Sequence, residues 1–153
     1  MTRGLAGYVT NIREIGASLY VCGISGQVYR RTDEGKWVAI DRGLYKPLTD
    51  PAGEHENMFT CIDGNSESDI YVVGMNGVIF HFDGEQWTSV DSSTHSHLNW
   101  VRCYGDDVYI CGSDGVLLKG NRDIGFEHVG STDVDLTWRC VCEFAGKVYL
   151  GSN

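Results

Sequence analysis

The stretch Ile70-Tyr71-Val72-Val73-Gly74-Met75-Asn76-Gly77-Val78-Ile79-Phe80-His81-Phe82-Asp83-Gly84-Glu85-Gln86-Trp87 decides the fold. Residues 70–74 and 78–82 are β-branched and aromatic runs of strand length, joined by a tight Met75-Asn76 turn that closes on Gly77. Asp83-Gly84 is a hairpin signal, and residues 86–90 supply a further strand. Upstream, Met58-Phe59-Thr60-Cys61-Ile62 reads as the first strand of the same unit. The unit therefore has four short strands and turn chemistry between them.

Its central phrase, Tyr-Val-x-Gly-x-x-Gly, recurs along the chain. Tyr20-Val21-Cys22-Gly23-Ile24-Ser25-Gly26 and Tyr109-Ile110-Cys111-Gly112-Ser113-Asp114-Gly115 are further copies, and Tyr149-Leu150-Gly151 opens a fourth. The anchoring glycines Gly23, Gly74, Gly112 and Gly151 lie 51, 38 and 39 residues apart (74−23, 112−74, 151−112). A period of about 40 residues built from short β segments marks a propeller blade. The expected fold is all-β: a β-propeller of four-stranded antiparallel blades, with about three and a half blades present in one partial or split domain spanning 1–153. The repeats cover about 8–41, 58–91, 99–130 and an incomplete 137–153, with an insertion at 42–57. Closed propellers use about four to eight blades, so this arc is expected to belong to a longer ring or to pair with other copies or a second chain.

Charge bounds the function. The chain has 153 residues, a formal charge of −9 and a sequence pI near 4.8. Direct nucleic-acid binding needs clustered Lys and Arg, which this balance opposes. A basic protein partner suits it, through electrostatic steering. No apolar run approaches the roughly 18 residues of a membrane span. Residues 1–8 lack the apolar region of a signal peptide, so a cytoplasmic location is expected. The six cysteines fit that compartment as free thiols. Cys22 and Cys111 share a repeat slot with Val73 and Leu150, which reads as interchangeable small core residues.

The first-strand pattern, Tyr-Val-x-Gly-x-x-Gly-x-Ile and Asp-Gly-x-x-Trp together resemble a bacterial β-propeller repeat family related to the sialidase-type (BNR-like) and photosystem II assembly-factor-type propellers. Residues 70–87 carry the best match and residues 108–126 a looser one. The sialidase-type Asp box is present only in altered form, at residues 32–37, 83–87 and 123–126. The resemblance implies a fold; function lives in sites grafted on folds.

Three arginines fall on first strands, Arg13, Arg102 and Arg139, with Thr60 in the second repeat. On the channel-lining strand of a propeller such a row grips carboxylates bidentately, or pairs with acids of neighbouring blades; pairing is the favoured reading. A sialidase-like enzyme also needs a nucleophile and an acid, and no such set is identifiable. His95-Ser96-His97 is a His-x-His pair with Asp91 and Asp133 as possible neighbours, which binds zinc when a third ligand approaches; on a loop the favoured reading is solvent-exposed polar residues, so no metal is expected. No phosphate loop is present, and no cofactor is expected.

The connections between blades, 41–57, 91–98 and 130–137, should crowd one end of the fold. The first is about a dozen residues longer than its counterparts, and loops on a rigid scaffold often carry binding. Its Tyr45, Asp50, Glu54 and Glu56, with Asp133 and Asp135 of the third connection and Trp100 and Trp138 at the strand entrances, form the expected partner-binding surface: acid rim plus aromatic anchors. The expected function is a non-catalytic propeller scaffold binding a basic protein, in its concrete form an immunity or inhibitor protein that masks a cationic toxin. The alternatives are a sialidase-like glycan-binding or glycan-processing propeller, or an assembly factor.

Overall fold

The computed structural model describes residues 8–47, 57–131 and 133–153. They form fourteen β-strands and two single 3₁₀ turns, at Ile24–Gly26 and Met75–Gly77. The first sheet comprises β1 (Val9–Ile15), β2 (Ser18–Gly23), β3 (Val28–Arg31) and β4 (Trp37–Ala39). The second comprises β5 (Phe59–Ser66), β6 (Asp69–Gly74), β7 (Ile79–Phe82) and β8 (Trp87–Ser89). The third comprises β9 (Leu98–Tyr104), β10 (Asp107–Gly112), β11 (Leu117–Asn121) and β12 (Gly125–His128). The fourth has two strands, β13 (Trp138–Phe144) and β14 (Lys147–Ser152). Every sheet runs in chain order and every pairing is antiparallel, so hairpins alone build each one.

The register gives the repeat a physical meaning. The motif tyrosines Tyr20, Tyr71, Tyr109 and Tyr149 stand opposite Arg13, Asp63, Arg102 and Cys142. On the outermost strands Trp37, Trp87 and Phe126 pair with Arg31, Phe82 and Gly120, one equivalent place in each sheet. In the fourth copy Leu150 pairs with Val141 as Ile110 pairs with Val101, and Gly151 pairs with Cys140 as Cys111 pairs with Trp100. Gly151, rather than Leu150, thus fills the slot of Cys22, Val73 and Cys111. The fourth copy has one residue fewer between its tyrosine and its glycine, which hid this shift.

The second motif glycine sits in a turn that no other residue accommodates. Asn76 and Gly77 both have positive φ (59° and 75°), and Val78 N–H closes the turn on the Met75 carbonyl at 3.3 Å. Two successive left-handed residues make the tightest hairpin loop compatible with strand twist. A Cβ on Gly77 would lie 2.0 Å from the Thr94 carbonyl oxygen. Gly26 and Gly115 are equivalent, each at positive φ with a Cβ position 2.1 Å from the carbonyl oxygen of Leu44 or Val134.

Consecutive sheets pack face to face, the first strand of each against the first strand of the next. Tyr20, Cys22 and Val28 of the first sheet meet Phe59, Ile62, Ile70, Val72 and Phe82 of the second. Cys61, Tyr71, Val73 and Ile79 meet Leu98, Val101, Val108, Ile110 and Leu118 of the third. Tyr109, Cys111 and Leu117 then meet Val141 of the fourth. A hydrogen bond repeats at each junction: Thr10 Oγ1 donates to the Phe59 carbonyl (2.8 Å), Thr60 Oγ1 to Leu98 (2.6 Å) and Asn99 Nδ2 to Trp138 (2.9 Å). Each donor is the same slot of a first strand and each acceptor the same slot of the next.

Candidate loop surface and first-strand cluster

One end of the sheet stack gathers the connections, because the turns after β2, β6 and β10 are cradled by them. Gly26 N–H donates to the Asn57 carbonyl (2.6 Å), Lys46 N–H to Ser25 (2.8 Å), and Asn57 Nδ2 to the Leu44 carbonyl (2.7 Å), so both stems of the first connection are pinned to one turn. His97 Nδ1 accepts the Asn76 N–H at 3.1 Å, and Ser96 Oγ donates to Asp114 Oδ2 at 2.7 Å. Gly115 N–H donates to the Leu136 carbonyl at 2.7 Å. A turn thus anchors the stems of each loop.

Of the expected partner-binding residues, Asp133 and Asp135 are exposed on the third connection, and Tyr45 is half-buried on the stem of the first. Asp50, Glu54 and Glu56 lie outside the described residues. Trp100 and Trp138 are half-buried and pack against the cluster that joins the third sheet to the fourth. They therefore brace the scaffold beneath the surface as well as bordering it. Exposed Asp114, in the turn before Gly115, is a further acid at this end that the sequence pattern leaves unmarked. A groove of about 320 Å³ between the second and third sheets is lined by Asp83, Asp91 and Asp123 together with His81 and Arg122, and its Asp83 and Asp123 sit in the β7–β8 and β11–β12 turns, at the end away from the connections.

Arg13 and Arg102 are brought together by Asp63, which lies just past the first strand read at residues 58–62 and is carried on β5. Asp63 is buried on β5 between them, with Arg13 Nε 3.6 Å from Oδ1 and Arg102 Nε 4.0 Å from Oδ2. Its Oδ2 also accepts the Cys103 N–H at 2.9 Å. The two guanidiniums lie over rings, Arg13 over Trp100 (5.5 Å) and Arg102 over Tyr104 (5.9 Å). Arg139 falls elsewhere: it occupies the slot of Thr10, Thr60 and Asn99, three residues earlier on the strand. Asp63 went unseen because β5 carries an irregularity between Gly64 and Ser66 that adds one residue before Tyr71. Counting back from the tyrosine with that extra residue would have found it. The cluster is an ion-paired brace between three sheets.

Three of the six thiols are buried in the sheet junctions, Cys103 is half-buried, and Cys140 and Cys142 are exposed. Cys22, Cys61 and Cys111 are free and fully buried. Burial pushes the Cys61 thiol up to about 11 and that of Cys111 up to about 12, far from a reactive thiolate. Among the described residues no group of three His, Cys, Asp or Glu side chains is placed to hold a metal ion, and no helix is long and apolar enough to cross a membrane.

Fold and surface together define an acidic all-β chain of stacked antiparallel sheets with its loops gathered at one end. No protein-family model matches it. The chain is 37% identical over 151 residues to a protein of Pseudomonas aeruginosa named Immune protein Tsi7. That alignment takes in 97% of this chain and 48% of the relative, so the chain spans about half the length of the curated relative it matches.

Proposed function

We propose that this chain is a non-catalytic immunity protein, an arc of β-propeller blades that neutralises a basic protein toxin by covering it with its acidic loop end. The observation that carries the reading is the 37% identity to an immune protein across nearly the whole chain. The sheet order supports the propeller form: each sheet is a meander laid against the next, first strand to first strand, as in propeller blades. The resemblance to sialidase-type and assembly-factor propellers is then one of blade architecture. The formal charge of −9 and the exposed Asp114, Asp133 and Asp135 supply the field that steers a basic partner onto the loops. Tyr45, Asp50, Glu54, Glu56, Trp100 and Trp138 complete the surface, the acids as rim and the aromatics as anchors.

The test is growth rescue. The protein encoded next to this chain's gene would be expressed in a susceptible bacterium with and without the chain. Restored growth together with a co-purifying complex is the expected result. Arrested growth in cells that accumulate the folded chain would remove the immunity reading.

A further inference from the structure

The geometry points to a binding site for a small monocarboxylate with an apolar body, in the groove between the first and second sheets. The groove holds about 480 Å³ and is lined by Tyr20, Arg30, Arg42, Glu67, Phe82 and Gly84. That volume falls among small-molecule pockets, which run from about 300 to about 1,000 Å³. Glu67 and Gly84 belong to the β5–β6 and β7–β8 turns, at the end away from the connections, so the site is independent of any toxin.

A turn one residue short creates it. Where the second sheet meets the third, the motif tyrosine is satisfied: Tyr71 Oη accepts the Arg122 N–H at 2.9 Å. On the third sheet five residues separate the paired Gly120 and Phe126, and on the second sheet four separate Phe82 and Trp87 (126−120−1, 87−82−1). Counted from those pairs, Gly84 stands where Arg122 does, and it lines the groove without bonding Tyr20. Tyr20 is 1% exposed, and its hydroxyl has no hydrogen-bond partner among the described residues. A buried polar group left unpaired is costly, and the groove is where its partner fits. Burial first, then the Glu67 carboxylate, raises the Tyr20 phenol above its ordinary value, so at neutral pH it is a hydroxyl able to donate.

Arg42 supplies the charge. Arg30 is already engaged, 3.6 Å from Glu67 Oε2 and donating to Ser18 Oγ at 3.2 Å. Arg42 has no acidic partner among the described residues. It is placed instead by donating to the Glu85 carbonyl and by lying over the Phe82 ring at 5.7 Å. Its φ of 31° is left-handed, a conformation that costs a non-glycine residue energy. With Arg30 and Glu67 balanced, the groove carries one net positive charge in a chain of formal charge −9. One free guanidinium and one phenol suit one carboxylate, which a planar fork can hold through both oxygens. A dianion such as phosphate would meet Glu67 with no second free cation. Ile40 and Phe82 form an apolar wall. Trp87 fixes it, donating from Nε1 to the Ile40 carbonyl at 2.8 Å with its ring 4.9 Å from that of Phe82.

Titration of the nitrogen-15-labelled chain with benzoate, followed by amide chemical shifts, tests this. Saturable shifts confined to the Arg42, Glu67 and Phe82–Glu85 amides are the expected result. Tyr20→Phe removes one hydroxyl and keeps the ring, and should weaken binding about fivefold. Arg42→Gln alters an exposed side chain and should weaken it about tenfold. Glu67→Gln removes the competing anion and should tighten it about threefold. Both weakened variants should keep the wild-type spectrum away from the groove, which separates lost binding from lost fold. No saturable shift with benzoate at tens of millimolar overturns the site, and so does benzoate binding that Tyr20→Phe and Arg42→Gln leave unchanged. Benzylamine shifting the same amides more strongly than benzoate overturns the sign of the ligand. Inorganic phosphate displacing benzoate at equal concentration overturns the carboxylate class.

Discussion

Asp63 accepts the backbone N–H of Cys103 at 2.9 Å across the junction between the second and third sheets. The same carboxylate stands between Arg13 and Arg102, so one buried acid serves three sheets. Asp63→Ala would strand two guanidiniums and a buried amide, at a cost of about 3 kcal/mol. Asp63→Asn keeps an acceptor for Cys103 N–H and should cost about 1 kcal/mol. Urea unfolding of the three proteins measures both, and equal losses for Ala and Asn would show that the amide bond contributes little beside the charge.

The turn glycines set a steeper test. Gly77→Ala combines a left-handed φ with a Cβ 2.0 Å from the Thr94 carbonyl oxygen, so the 91–98 connection must move. A loss of about 3 kcal/mol or more is expected. Gly43→Ala, at a φ of +95° with nothing within 4 Å of the Cβ, carries the conformational cost alone and should lose about 1 kcal/mol. Thermal unfolding that ranks the two equally would mean the loop adapts freely.

These glycines also show why the fold was legible. Turns that admit only glycine recur at fixed distance from strands of alternating burial, and that pattern survives in a single sequence. The Asp63 cluster was harder to read, because one irregularity in β5 moves the register by one residue and sends an inward acid into an apparent loop. The cross-sheet bonds of Thr10, Thr60 and Asn99 were harder still. Their partners are backbone carbonyls, which leave no mark on residue identity. The loop surface is the least determined of all, since solvated acids on connections obey no packing constraint.

Buried thiols make the fold sensitive to alkali. Cys61 and Cys111 have folded values raised from about 9 to about 11 and about 12. Their contribution is fully present below pH 9 and is lost as pH rises through the folded values, because only the unfolded chain gives up the protons. The loss is about 1 kcal/mol per thiol by pH 10, from a limiting slope of about 1.4 kcal/mol per pH unit. Cys111→Val should cost about 1 kcal/mol or less at pH 7 and should flatten the decline between pH 8 and 10. An unchanged pH slope in the variant would show that Cys111 ionises normally in the folded chain.

Binding of the proposed toxin should depend on loop charge in its rate and on the aromatics in its lifetime. Asp133 and Asp135 are exposed on the third connection, so reversing both to Lys leaves packing intact and changes the field at the loop end by four charge units. Association should slow by about tenfold at low ionic strength and converge with wild type as salt rises, while dissociation stays nearly constant. Glu54→Lys with Glu56→Lys should act the same way on the first connection. Trp138, on the fourth sheet, is half-buried against the cluster that joins it to the third, so Trp138→Ala removes both packing and any anchor, and its effect must be measured on protein shown to be folded. A central anchor there would raise the dissociation rate by about thirtyfold, equivalent to roughly 2 kcal/mol. Stopped-flow association and dissociation over a salt series separates the two roles. If the charge reversals leave the low-salt association rate unchanged, the partner approaches another face of the sheets.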